Sequence, residues 1–307
     1  MYKYTFVVSN FKTNKMKITV TGSLGNISKR LTEQLVNKGH EVTVISHNPE
    51  KLEAIEALGA KPAIGSISDV DFLIQAFTGA DAVYIMTPPT YNTTDIKGTL
   101  AALADKYIEA IKATGVKHVA SLSGIGAQSP TGYGPSSAFH YIENRLNELE
   151  DVNVLHLRPG MFYTNYYGSI GMIKHLKMTG NNFENDKVII MSHPHDIADA
   201  AAEALDTLSF TGKKIQYIAS DELTGAEIAQ ILGEALNIPN LPWVVYSNEQ
   251  LIGGLMQGGF SEHMAGNFAE MGKAIGEGKI WEPYYADKSN AYGKLKFKDF
   301  AQELALR

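Results

Sequence analysis

Three short stretches hold residues whose types and spacing can do chemistry. In "TVTGSLGNISKRL", residues 19–31, Gly22 and Gly25 follow a β-branched run and precede a segment with helical periodicity. Gly22 falls where a strand turns into a helix, and Gly25 where a side chain would block an anion approaching the helix N-terminus. Ser23, Leu24, Asn26 and Ile27 complete the loop, and Ser28 stands where a third glycine is usual. That third position serves close helix–strand packing, for which serine is nearly small enough. In "FHYIENRL", His140 can exchange a proton near neutral pH. Tyr141 and Arg145 have the spacing of a Tyr-x-x-x-base pair, although an arginine cannot exchange protons and tyrosines on amphipathic helices usually pack. In "SHPHDIADA", His193, His195, Asp196 and Asp199 are metal-ligand types. No metal is expected there, because Asp196 is equally suited to cap the alanine-rich helix that follows.

These residues need elements to position them. Short β-branched runs at 17–21, 41–46, 62–67, 81–86, 117–122, 152–157 and 215–219 alternate with helical periodicity. Such alternation predicts a parallel sheet covered on both faces. The clearest helix spans 95–114, with Leu100, Leu103, Ala104, Tyr107, Ile108 and Ile111 on one face and Gly115 to close it. Beyond about residue 221 the pattern changes. "LTGAEIAQILGEAL" predicts an amphipathic helix introduced by Thr224, followed by the glycine-rich "IGGLMQGGF" and "GKAIGEGKI". These predict a small helical domain with mobile connections, placed to cover the strand ends where doubly wound folds bind ligands. The expected division is an extension at 1–15, a main domain at 16–220 and a cap at 221–307, with 165–188 contributing to the substrate side.

Composition narrows the class. The chain has 307 residues, 44% of them hydrophobic, so a sizeable core is expected. A formal charge of −6 scattered along the chain lacks the basic stripe of a nucleic-acid binder. With no cysteine, thiolate catalysis, disulfides and iron–sulfur clusters are excluded. No run approaches the roughly 18 apolar residues of a membrane helix, and no secretory signal is recognisable, so a cytoplasmic protein is expected.

The spacing GxxGxxS departs from the GxGxxG of ordinary dehydrogenases and is close to the GxxGxxG of extended and atypical short-chain dehydrogenase/reductases. Taken with "HNPEK", "GSISD", "TPP", "HYIENRL", "LRPGMF" and "HDIADAAAEAL" in this order, the chain resembles the NmrA-like members of the atypical group. The resemblance runs from about residue 16 into the 230s. It implies a Rossmann-type doubly wound parallel sheet with a smaller, mainly helical C-terminal substrate domain. It also implies a nicotinamide dinucleotide held by residues 22–27, by Ser66 and Ile67 after the third strand, and by Thr87, Pro88 and Pro89 after the fourth. Ser66 replaces an aspartate frequent in the family. Ser123, after the fifth strand, is expected to line the same cleft.

The second strand ends in "ISHNPEK", without the acid that holds the ribose hydroxyls of NAD. His47, where NADPH-using relatives commonly carry arginine, can meet a 2′-phosphate with help from Lys51, which favours NADP over NAD. Tyr91, Phe162 and Tyr166 offer an apolar wall for a flat substrate. The expected activity is transfer of hydride from NADPH to a small quinone or carbonyl compound, with His140 or Tyr141 as the polar group at the reacting end. A non-catalytic dinucleotide sensor and an epimerase-like enzyme on a nucleotide sugar are the alternatives. A homodimer is compatible with either.

Overall fold

The computed structural model describes residues 15–88 and 90–306. The expected extension at 1–15 and the candidate Pro89 therefore lie outside the described residues, apart from Lys15, which pairs with Glu41 at 3.1 Å.

Strand and helix alternate through the first half: β1 (Lys17–Val20), α1 (Ser28–Asn37), β2 (Glu41–Ser46), α2 (Leu52–Ala57), β3 (Lys61–Ile64), α3 (Val70–Phe77), β4 (Ala82–Ile85), α4 (Ile96–Thr114), β5 (His118–Leu122), α5 (Phe139–Asn147) and β6 (Asn153–Pro159). Next come β7 (Met161–Phe162), α6 (Ile170–Leu176), β8 (Thr179–Asn181), β9 (Val188–Ser192), α7 (Pro194–Thr207) and β10 (Lys213–Ile218). The chain ends with β11 (Asp221–Thr224), α8 (Gly225–Leu236), β12 (Trp243–Val245), α9 (Asn248–Gln257), α10 (Glu262–Gly276), α11 (Glu282–Ala286) and α12 (Phe297–Ala305).

The main sheet has seven parallel strands in the order β10-β6-β5-β4-β1-β2-β3. Strand order reverses between β1 and β4, which opens a crevice beyond their carboxyl ends. One face of the sheet buries Leu31 and Leu35 of α1 together with the alanines and Leu205 of α7. On the other, Leu73, Phe77, Leu100, Tyr107, Ile108 and Ile142 pack from α3, α4 and α5. Asp95 caps α4 by accepting from the Gly98 amide, and Gly115 ends it at φ +68°. Thr224 and Glu227 form a reciprocal capping box at the start of α8.

A second core joins β7, β9 and β11 to α8, α10, α11 and α12 around Tyr163, Phe183, Trp281, Phe297 and Phe300. Residues from the 165–188 stretch, among them Tyr166, Ile173 and Phe183, belong to this core. Helices dominate the C-terminal part, and two small sheets, β11-β9-β7 and β12-β8, run through it. Much of its glycine-rich sequence is helical and does not connect elements. "IGGLMQ" is helical within α9, and "GKAIG" within α10, with turns at Gly259 and Gly278. The alanine-rich α7 is capped by His193, whose side chain accepts from the His195 amide, and not by Asp196. Asp196 lies in the first turn, fully buried, with its Oδ2 accepting from Ser220 Oγ at 2.6 Å and from the amides of Lys294 and Leu295 at 2.9 and 3.0 Å. A side chain that ties down a segment almost a hundred residues away cannot also turn back to cap its own helix.

Candidate dinucleotide cleft

The carboxyl ends of β1 to β4 bring four of the candidate loops side by side. Thr21 donates its amide to Tyr84 O and Ser23 to Ile45 O, both at 3.0 Å, while Gly65 donates to Ser46 O at 2.9 Å. Side chains tighten the set. Ser23 Oγ donates to Ser46 Oγ at 2.9 Å, and Thr21 Oγ1 accepts from the Met86 amide at 2.9 Å. His47 follows Ser46, Ser66 follows Gly65 and Thr87 follows Met86, so these candidates share one edge of the sheet.

Within the glycine loop, Gly22 has φ +92°, and a Cβ there would lie 2.5 Å from Ser28 Oγ. Ser28 is buried, and its hydroxyl donates to Thr21 O at 2.8 Å. The serine thus seals the first turn of α1 against the strand end, occupying the space that Gly22 leaves. Among the described residues the amides of Leu24, Asn26 and Ile27 have no acceptor. Donors left free at a helix N-terminus fit a phosphate group. Asn48 caps the turn after β2 by accepting from the Glu50 amide, and His47 and Lys51 on either side of it are exposed with no side-chain partner among the described residues. Ser66 Oγ accepts from the Ser68 amide at 3.2 Å, Ile67 packs against the α3–α4 core, and Pro88 is exposed.

The loops after β5 and β6 carry a buried polar framework. Arg158 donates from Nε and Nη2 to the two oxygens of Glu143 at 2.9 and 2.5 Å, and Ser123 Oγ donates to the same carboxylate at 2.5 Å. Burial would raise the Glu143 carboxyl, but the guanidinium and the hydroxyl outweigh it and hold the group below the usual carboxylate range. His156, beside the pair, is pushed down to about 4 by burial. Its Nε2 meets Asn147 Oδ1 at 2.9 Å, and its Nδ1 is buried without a partner. The sequence offered a signal for this pair: an arginine inside the apolar strand "VLHLRP" requires a buried acid.

Of the two candidates for acid–base work, His140 is half-buried with both ring nitrogens engaged. Nδ1 donates to Ala127 O and Nε2 accepts from Asn144 Nδ2, each at 2.9 Å. A carbonyl only accepts, so Nδ1 carries a proton and is committed to this bond. Tyr141 lies elsewhere: its hydroxyl donates to Asp105 on the exposed face of α4 at 3.0 Å, and Arg145 joins the same carboxylate at 3.3 Å. Among the wall residues, Phe162 packs against the main core and Tyr166 against Phe297, with ring centres 5.2 Å apart. Tyr91 is 47% exposed and meets Phe260 at 4.9 Å between ring centres.

A cavity of about 720 Å³ opens between the loop after β4 and the α9–α10 hairpin, lined by Thr94, Ile252, Ser261, His263, Asn267 and Glu270 among others. No glycine-loop residue lines it. A cap over the strand ends is expected from the sequence, but Ser261, His263 and Glu270 of this region do not stand out in it, since a Ser-x-His and a glutamate seven residues further carry no recognisable motif. Among the described residues no three His, Asp or Glu side chains are gathered to hold a metal ion.

A doubly wound parallel sheet with an open glycine turn at its switch point defines a dinucleotide-binding protein. The chain belongs to the NAD(P)H-binding family, which matches residues 22–207 and thus more than half of it. It is 24% identical over 256 residues to an NAD(P)H azoreductase of Xenophilus azovorans, covering 83% of this chain and 85% of that one. Over 149 residues it is 32% identical to a UDP-glucose 4-epimerase of Klebsiella pneumoniae, covering 42% of this chain and all of the other. In fold it matches an NADPH-dependent quinone oxidoreductase of Escherichia coli solved with NADPH, at a TM-score of 0.79 and 20% identity, over 94% of this chain and 99% of that one. No helix among the described residues is long and apolar enough to cross a membrane.

Proposed function

We propose that the protein is an NADPH-dependent reductase that delivers hydride to a small quinone or carbonyl acceptor. The observation that carries this reading is the glycine turn with its free amides at the switch point, flanked by exposed His47 and Lys51 where an acid would select NAD. In this reading residues 16–220 form the dinucleotide domain and 221–307 the cap. Gly22 to Ile27 hold the pyrophosphate, and His47 and Lys51 meet the 2′-phosphate. Ser66, Ile67 and Thr87 border the adenosine and nicotinamide ribose, and Ser123 supports the nicotinamide end through Glu143. The bound cofactor supplies the hydride. Tyr91, Phe162 and Tyr166 supply apolar surface for a flat acceptor. His140, with its proton tied to Ala127 O, orients the loop after β5 and does not deliver that proton. Solvent can protonate a quinone after hydride arrives, so the chemistry needs no strong acid from the chain.

The engagement of His140 and the surface position of Tyr141 also favour a second reading, a dinucleotide sensor without turnover. Titration with NADPH and NADH, followed by a quinone and carbonyl panel, separates the two. Preference for NADPH of tenfold or more, reduced to about twofold in His47→Ala, together with steady NADPH oxidation, is the expected result. Tight binding with no acceptor reduced would leave the sensor. Equal binding of both dinucleotides to wild type and variant would remove the assignment of His47.

A further inference from the structure

Helix α10 and the turn before it hold the two loops that border the nicotinamide end of a doubly wound cleft, those after β4 and β5. The Ser261 amide donates to Tyr91 O at 3.1 Å, and Ser261 Oγ donates to Thr93 O at 2.6 Å. Two residues further, His263 Nε2 accepts from the Ile96 amide at 3.2 Å, at the start of α4. Two turns beyond that, a Glu270 carboxylate oxygen accepts from the Gly134 amide at 3.0 Å, in the turn that leads into α5. His263 and Glu270, seven apart, share one face of the helix. The backbones also meet: a Cβ at Gly134, where φ is +57°, would lie 2.0 Å from Asn267 O. Ring contact between Tyr91 and Phe260 completes the contact. The cavity of about 720 Å³ lies along this seam.

We infer that Ser261, His263 and Glu270 are positioning residues that clasp the cap onto the loops after β4 and β5 and so set the shape and water access of the acceptor side. The inference rests on the reductase reading only for the identity of what is reduced; the clasp itself is a property of the chain. Each bond ends on a backbone group of a cleft loop, so its loss frees the loop and not merely a surface side chain. The dinucleotide's phosphate grip lies on other loops and does not depend on these bonds.

The test uses the full chain. Ser261 also caps α10 by accepting from the Met264 amide at 3.1 Å. Ser261→Asp keeps that cap but has no proton for Thr93 O, whereas Ser261→Asn keeps the cap and restores a donor. Glu270→Ala removes the acceptor for Gly134, and Glu270→Gln keeps one. Amide hydrogen exchange is read over 91–96 and 133–138, acrylamide quenching of bound NADPH fluorescence reports access to the nicotinamide, and acceptor KM is taken where turnover occurs. Ser261→Asp and Glu270→Ala are expected to exchange at least tenfold faster in these segments, to admit quencher, and to raise acceptor KM about fivefold, with NADPH Kd within twofold of wild type. Ser261→Asn and Glu270→Gln are expected to behave as wild type. Faster exchange with unchanged quenching would overturn the inference, as would a parallel loss of NADPH affinity, which marks general loosening. If the wild type binds NADPH but reduces nothing, the reductase reading fails, while exchange and quenching still decide the clasp.

Discussion

The two sides of the cleft are held together by different means. Around the glycine turn, the loops after β1, β2, β3 and β4 are joined largely by backbone bonds, from Thr21 to Tyr84, Ser23 to Ile45 and Gly65 to Ser46. On the cap side, single side chains reach across long stretches of sequence: Ser261 to Thr93, Glu270 to Gly134, Asp196 to Lys294 and Leu295. A backbone bond survives most substitutions, because only proline removes its donor. A side-chain bond disappears with one codon. The glycine-turn side therefore rests on bonds that most substitutions leave in place, and the cap side is the part that can be retuned residue by residue.

Between the two sides lies the Glu143–Arg158 pair, and breaking it should give the largest effect. Glu143→Ala leaves the Arg158 charge buried without a partner, and urea denaturation should show a loss of about 3–5 kcal/mol. Replacing both by Leu and Met should restore most of that loss. A cost below about 1 kcal/mol for Glu143→Ala would mean that water reaches the guanidinium and that the framework is not sealed from solvent.

Acid should act through the same neighbourhood. The folded-state pKa of His156 lies near 4, below its ordinary 6.5, so between these values the unfolded chain binds more protons. Stability should fall as pH drops from about 6.5 and level off below about 4, by about 3 kcal/mol at most for this one group. Glu143 attracts a proton to His156, and Arg158 and Lys213 oppose it. His193, lowered to about 4 by burial and the nearby His195, adds a slope of the same sign, smaller because its ring is only half-buried and solvent screens it. Denaturation series at several pH values on His156→Leu and His193→Asn apportion the slope between the two sides. Unchanged slopes in both would show that neither histidine is buried in solution.

A smaller effect is expected for Asp196→Ala, which strips the acceptor from one hydroxyl and two amides. About 2 kcal/mol should be lost, with faster exchange confined to residues 292–297 and little change in dinucleotide affinity. Loss of dinucleotide binding in this variant would show that the cap side and the phosphate side are coupled, contrary to the difference in their construction.

Much of the main sheet was legible because its signals are local. The β-branched runs, the one-sided periodicity of α4 and the closing Gly115 each state their own conformation, and all seven main-sheet strands lie within a few residues of their expected positions. Gly22 was readable for the same reason, since its positive φ follows from the turn that a strand–helix junction needs. The short strands β7, β8 and β12 were not, because two or three residues carry too little period to register. The glycine pairs of α9 and α10 misled in the other direction. Helix propensity disfavours glycine by only about 1 kcal/mol, and packing of the hairpin overrides it. Asp196 suits a cap by type and place, yet a carboxylate serves whichever donors the fold brings nearest.

The sequence by itself determined the parallel α/β architecture, the glycine turn and the absence of an acid at the end of β2, because each is a matter of local period, of one residue's allowed backbone, or of one side chain's charge. Tertiary structure alone decided that Arg158 finds Glu143, that Tyr141 finds Asp105, and that α10 clasps the loops after β4 and β5. Those contacts join residues from 15 to 168 positions apart, and no local preference encodes which distant partner a polar side chain will meet.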